Sequence, residues 1–211
     1  MDKDHFDCEL MSWEYFYNLS KIVGEKIINS KFIPDVIIGL ARGGWVFARI
    51  LCDFLGIKDL LSLKVEHWGI TATPDGEAKL KYPLSVNLSN KRCLVIDDIT
   101  DTGKSMIEAI KHIESLNPIE IRTATLMHIK GSKFVPYYFA KEIDWRWVIF
   151  PWNFFEDLCN IIPKAAQFSN ENLDLASTKD KLKTNFKIDL DEEIIKEVFE
   201  EYQRRKRKTL S

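Results

Sequence analysis

Asp97 and Asp98 stand side by side at the end of a short apolar run, Leu94-Val95-Ile96, and a few residues later the chain reads Asp101-Thr102-Gly103-Lys104-Ser105. These are residue types for handling a phosphorylated sugar. Adjacent carboxylates can hold a sugar diol directly or through a hydrated Mg²⁺. A Thr-Gly-Lys-Ser turn that opens a helix offers backbone N–H groups, two hydroxyls and a partial positive charge, the equipment for a phosphate. A second stretch, Ala41-Arg42-Gly43-Gly44, also follows an apolar run, Val36-Ile37-Ile38. Its two glycines let the backbone approach an anionic group, and Arg42 adds a forked cation suited to phosphate oxygens. Taken alone, Arg-Gly-Gly reads as a plain turn. The Gly103-Lys104-Ser105 ending invites a Walker A reading, but that motif requires a glycine five residues before Gly103, where the chain has Asp98.

The elements around these residues point to an α/β fold with an open, mainly parallel sheet flanked by helices. Leu94 to Ile96 is short and rich in β-branched residues, as a strand buried on both faces should be. From Lys104 the apolar positions Met106, Ile107, Ile110 and Ile113 recur at helical spacing, and Asn117-Pro118 stops that helix after Leu116. The order strand, tight loop, helix places the loop at the carboxyl end of a strand, where open α/β sheets bind ligands. The same order holds at residues 35 to 55, with Gly56 as the helix stop. Upstream, Ser12 can cap a helix carrying Trp13, Phe16, Tyr17, Val23 and Ile27. Leu60 to Val65 and Ile121 to Met127 read as further strands. Glu66 to Leu88 carries Gly69, Pro74, Gly76 and Pro83 and is too long for a simple connection, so it reads as a lid or as a hairpin pairing Leu63–Trp68 with Leu84–Leu88.

In this order and spacing the stretches resemble the type I phosphoribosyltransferases, in particular the 6-oxopurine branch of xanthine-guanine and hypoxanthine-guanine enzymes. Residues 93 to 106 are similar to the family's phosphoribosyl pyrophosphate (PRPP) loop, residues 41 to 44 resemble its pyrophosphate loop, and residues 66 to 88 take the position of its closing lid. The aromatic segment Trp145-Arg146-Trp147-Val148-Ile149-Phe150-Pro151-Trp152-Asn153-Phe154 resembles its hood. The resemblance implies that Asp97, Asp98, Thr100, Asp101, Thr102, Gly103, Lys104 and Ser105 bind PRPP, joined by Ala41, Arg42 and Gly43 at the pyrophosphate. It implies that Asp97 and Asp98 hold Mg²⁺, through water or directly, and that Asp101 exchanges a proton with the purine imidazole ring while Arg42 takes charge on the leaving group. Trp147 would stack on the base, the Val148 backbone would contact it, and Lys130 would donate to its carbonyl oxygen. Two positions depart from the pattern. Asn153 replaces an acid that relatives carry after the Pro-Trp pair, and Ile149 stands where one bacterial relative has a carboxylate that reads an exocyclic amine.

The resemblance covers roughly residues 10 to 162 and implies a core with its hood over residues 1–163. Phe154 to Ile162 reads as a helix ended by Pro163. Residues 164–211 read as a polar linker and a helical appendage, with a short helix near Thr178 to Phe186 and an amphipathic one from Leu190 to Lys208. The run Arg204-Arg205-Lys206-Arg207-Lys208 suits the C-terminal end of a helix dipole and reads first as a solvated helix end.

Composition sets bounds. The chain has 211 residues, 45% hydrophobic and 29% charged, and a formal charge of −2, so no global positive field marks a nucleic-acid binder. Cys8, Cys52, Cys93 and Cys159 are widely spaced with no zinc pattern, as core thiols of a reducing cytosol would be. No apolar stretch approaches a membrane span, and a cytoplasmic homodimer is expected from the family. Two alternatives stay open at this stage: an adenine enzyme on the same scaffold, and a PRPP-sensing regulator that binds nucleic acid through the basic tail.

Overall fold

The computed structural model describes residues 6–67, 78–166, 168–169 and 172–209. In chain order its elements are β1 (Cys8–Leu10), α1 (Trp13–Asn29), β2 (Val36–Ala41), α2 (Gly44–Leu55), β3 (Leu60–His67), β4 (Ala78–Tyr82), β5 (Arg92–Ile96), β6 (Ile99–Thr100), α3 (Lys104–Glu114) and β7 (Glu120–Ile129). There follow β8 (Tyr138–Ile143), β9 (Trp147–Ile149), α4 (Phe154–Ala165), β10 (Phe168–Ser169), β11 (Asn172–Leu173), α5 (Leu175–Phe186) and α6 (Glu192–Thr209). The chain divides into two compact units, Glu14–Trp145 and Met1–Trp13 with Arg146–Ser211.

The Glu14–Trp145 unit carries the open α/β sheet expected from the sequence. Its strands run in the order β4-β3-β2-β5-β7-β6, with β8 on β7, and every pairing is parallel except β3 with β4. The central strands are buried on both faces: Ile37, Ile38, Leu94, Val95 and Ile96 are all fully enclosed. α2 ends where expected, at Gly56, whose positive φ of 68° lets its N–H reach back to the last carbonyls of the helix. α3 stops two residues before the expected Leu116, because the chain tightens there: Leu116 N–H donates to the Ile113 carbonyl at 3.0 Å.

The pairing within the lid segment differs from expectation. Lys64–His67 pairs antiparallel with Ala78–Tyr82, not with Leu84–Leu88. Leu84 and Leu88 are apolar for another reason: they are buried with Val95, Met106, Ala109 and Ile113, under the helix α3. Leu84 N–H also donates to His112 Nε2 at 3.0 Å, tying this segment to the last turn of α3. Of the expected lid, residues 68–77 lie outside the described residues.

In the other unit β1 pairs in parallel with β9, and α4, α5 and α6 close a core of Leu158, Ile162, Leu182, Phe186, Ile195 and Val198. The hood segment and the C-terminal helices, placed by the sequence reading on either side of residue 163, therefore share one core. Pro163 does not end α4. The helix continues to Ala165, since a proline in the last turn forgoes one backbone bond while Ile161, Ile162 and Ala165 stay buried. Among the described residues no helix is long and apolar enough to cross a membrane.

Candidate functional site

The acidic pair sits at a break in one line of strand. β5 pairs Ile96 with Ala124 and β6 pairs Ile99 with Met127, so β6 continues the register of β5 along β7. Asp97 and Asp98 occupy the break. Asp97 N–H donates to the Ala124 carbonyl at 3.1 Å, and the Asp98 carbonyl accepts from Leu126 N–H at 3.0 Å and Met127 N–H at 3.3 Å. The side chains are held as firmly. Asp98 is buried and its Oδ1 accepts from Ile99 N–H at 2.8 Å, while Asp97 Oδ1 accepts from Asp98 N–H at 3.0 Å. Burial, and then the charge of Asp98, push the Asp97 carboxyl well above the usual carboxylate range, against the pull of the Asp98 and Gly44 N–H groups.

The second expected loop lies against this pair. Gly43 and Gly44 begin α2, and a Cβ on Gly43 would enter the Asp98 carboxylate, 2.5 Å from its Cγ. One on Gly44 would meet the Ile96 carbonyl and stand 3.1 Å from Asp97 Cα. Only glycine permits this approach. Ala41 ends β2, the Ala41–Arg42 peptide is cis, and Arg42 is exposed. Trp45 follows, its Nε1–H donating to Ser62 Oγ at 2.5 Å, which in turn donates to the Gly39 carbonyl at 2.9 Å.

Beyond the pair the chain turns into α3. Asp101 is exposed, Thr102, Lys104 and Ser105 are partly so, and Gly103 has φ 78° with no side chain capping the helix. Thr102 Oγ1 accepts from Lys104 N–H at 3.4 Å. The chain after β7 folds over this turn: Lys133 N–H donates to the Thr102 carbonyl at 3.3 Å, and a Cβ on Gly103 would lie 2.5 Å from Phe134 Cβ. Thr100 differs from its neighbours. Its side chain is buried, and its hydroxyl is hydrogen-bonded to His128 Nδ1 at 3.2 Å rather than turned outward.

Asp97, Asp98, Asp101 to Ser105, Ala41, Arg42 and Gly43 thus gather at the carboxyl ends of β2 and β5. Lys130 is at the end of β7, exposed and paired with Asp144 Oδ1 at 2.9 Å, a contact that raises its pKa. Trp147 and Val148 belong to the other unit. There they lie on β9 in register with Cys8 and Glu9, Val148 is buried, and Trp147 is partly buried against the core. Phe150 and Trp152 stack on each other with centroids 4.9 Å apart. No local pattern marks His128, Phe134 or Asp144 as supports of these residues, because each meets its partner only through the fold.

Among the described residues no group of three or more His, Cys, Asp or Glu side chains is arranged to hold a metal alone. The pair itself fits a hydrated Mg²⁺ shared with a substrate. It offers hard oxygen donors, and a cation would relieve the repulsion that raises the Asp97 pKa.

Residues 13–157 match the family model described as the phosphoribosyl transferase domain. The hypoxanthine phosphoribosyltransferase of Buchnera aphidicola subsp. Schizaphis graminum is 27% identical over 110 residues, 52% of this chain and 62% of that protein. The transcriptional regulator GfcR of Methanocella arvoryzae is 32% identical over 103 residues, 46% of this chain and 48% of that protein. The matched stretch is thus less than two thirds of the length of either curated relative. The crystal structure of a purine phosphoribosyltransferase from Pyrococcus horikoshii superposes with a TM-score of 0.61 at 30% identity, covering 69% of this chain and 94% of that one.

Proposed function

Because the chain belongs to the phosphoribosyl transferase family, we propose that it transfers the phosphoribosyl group of PRPP to a purine base, a 6-oxopurine such as hypoxanthine or guanine, giving a nucleoside monophosphate and pyrophosphate. The observation that carries this reading is the contact of the Gly43 backbone with the Asp98 carboxylate, with the Thr102–Ser105 turn following on the same strand end. PRPP presents its groups in that order: pyrophosphate at the anomeric carbon, then a diol, then a phosphate.

In the proposed reaction a purine ring nitrogen attacks the anomeric carbon as the bond to pyrophosphate breaks. Positive charge gathers on the sugar and negative charge on the leaving group. Asp97 and Asp98 hold the ribose hydroxyls and face the cationic sugar from a desolvated position, where fixed charge is worth more than in water. The same pair would hold Mg²⁺ through its water shell, and the ion would neutralise pyrophosphate charge. Gly43 brings its backbone to the leaving group and Arg42 supplies a guanidinium there. The turn from Thr102 to Ser105 anchors the nonreacting phosphate, so that remote binding energy positions the reacting carbon. Asp101 exchanges the proton of the purine imidazole ring. Lys130, Trp147 and Val148 are the proposed base contacts, and the functional unit is a homodimer.

The test is pyrophosphate release from PRPP and Mg²⁺ with hypoxanthine, guanine, xanthine and adenine offered separately, Asp101→Asn serving as control. Turnover with an oxopurine that falls at least tenfold in the control supports the assignment. Turnover with adenine alone overturns the role of Lys130. No turnover, together with salt-dependent DNA or RNA binding lost when Arg204–Lys208 is neutralised, would make the chain a regulator instead.

A further inference from the structure

The Thr100–His128 pair lies inside the sheet directly behind the loop that carries Asp101. Thr100 is 3% exposed and His128 also 3%, so neither side chain reaches a ligand. Their hydrogen bond, Thr100 Oγ1 to His128 Nδ1 at 3.2 Å, ties β6 to β7 through side chains. β6 is only two residues long, Ile99–Thr100, and the next residue is Asp101. A strand this short has little backbone pairing with which to hold a loop.

The ring is itself fixed, with its centroid 5.2 Å from that of Phe139 on β8. One strand, β7, therefore sets the loop from both sides. Its His128 holds Thr100 from within, and the segment that follows it covers the loop through Lys133 N–H on the Thr102 carbonyl and Phe134 on Gly103.

We infer that His128 is a positioning residue that, through the Thr100 hydroxyl, fixes the backbone of residues 99–105 in the phosphate-binding form before ligand arrives. The hydroxyl of Thr100 serves this latch, and only its backbone belongs to the binding loop. Either tautomer of the imidazole can complete the bond, since a hydroxyl both donates and accepts. The function of the latch is preorganisation: a loop held in its bound geometry loses less freedom when ligand binds. The inference rests on the PRPP reading for the identity of the ligand, but not for the existence of the latch.

Four variants test it: Thr100→Val and His128→Leu, which remove the bond, and Thr100→Ser and His128→Asn, which keep a hydroxyl at 100 or an amide near the place of Nδ1. Two readouts are taken well below the melting temperature of every variant. These are amide hydrogen exchange of residues 99–105 in the ligand-free chain, and PRPP affinity by calorimetry. Loss of one such bond should weaken PRPP binding by roughly two- to tenfold and speed exchange in the loop by a similar factor. Thr100→Ser and His128→Asn should stay within twofold of wild type, and the double variant Thr100→Val/His128→Leu should be no worse than the weaker single, because both remove the same bond. A purely structural role would lower the melting temperature of the valine and leucine variants but leave loop exchange and PRPP affinity unchanged, and that result overturns the inference. If the wild type binds no PRPP while loop exchange responds as described, the latch stands and the transferase reading falls.

Discussion

Gly43→Ala separates the binding site from the stability of the fold. The backbone at Gly43 has φ −57° and ψ −43°, a conformation that alanine adopts at no cost, so any effect must come from space. The added methyl would sit 2.5 Å from Asp98 Cγ, whereas ordinary contact begins at 3.4 Å, so the two loops must part by about 1 Å. Asp98 cannot simply rotate away, because its Oδ1 is engaged by Ile99 N–H at 2.8 Å and its carbonyl by Leu126 and Met127. A misplacement of about 1 Å costs on the order of 100-fold in kcat/KM, or about 2.7 kcal/mol of transition-state stabilisation. Stability should fall only by about one hydrogen bond, ~1 kcal/mol, which lowers Tm by about 2–4 °C for a chain of this size. Gly56→Ala is the opposite control. Nothing lies within 4 Å of its would-be Cβ, but its φ of 68° strains any side chain, so about 1–2 kcal/mol of stability is lost with PRPP binding intact. The assay is PRPP titration calorimetry beside a thermal melt for each variant. Wild-type PRPP affinity in Gly43→Ala would refute the reasoning, since the pyrophosphate and ribose would then not meet at this contact.

Three further outcomes follow from burial and charge. The folded-state pKa of Asp97 lies above its unfolded value, so its ionised form weighs against folding once the pH exceeds the unfolded value, and fully so above the folded one. Asp97→Asn should therefore raise the ligand-free Tm at pH 7 while abolishing PRPP binding, and the gain should vanish as the pH falls below about 4; a lower Tm for the variant at pH 7 would contradict this. Phe186, 1% exposed and edge-on to Phe6 with centroids 5.1 Å apart, closes the core of the C-terminal helices. Phe186→Ala should cost about 3–5 kcal/mol in urea denaturation, and a cost under about 1 kcal/mol would show that α5 is not part of that core. Burial pushes the Cys8 thiol up to about 12 and Cys93 to about 11, and raises Cys52 and Cys159 as well. All four should resist a disulfide reagent at pH 8 in the native chain and react together in denaturant; fast labelling of a native thiol would contradict its enclosure.

The parts legible in the sequence are those whose cause is local. The strand before Asp97, the glycine that stops α2 and the helical repeat after Lys104 each follow from a few neighbouring residues, and the structure places each within a residue or two of expectation. The errors have the opposite character. Leu84 and Leu88 look like one face of a strand, but their apolar character answers to a helix folded above them, while the true strand Ala78–Tyr82 alternates lysines and looks like loop. Pro163 looks like a stop, yet the buried side of α4 outweighs one missing backbone bond.

β7 shows why the support of the site could not be read at all. As a sequence, Glu120–Ile129 is only a strand with a histidine in it. In the fold it pairs with β5 and with β6 in one register, so the two act as one interrupted strand with the acidic pair at its break. The break that carries Asp97 and Asp98 is held from the neighbouring strand, by the Ala124 carbonyl and by the Leu126 and Met127 amides, as well as by the pair's own carboxylates. His128 extends the same control to Thr100, two residues past the acidic pair. A change at His128 should therefore act on the loop of residues 99–105 from within the sheet. A hydrogen-bond deletion in this strand should be read in loop exchange before it is read in turnover.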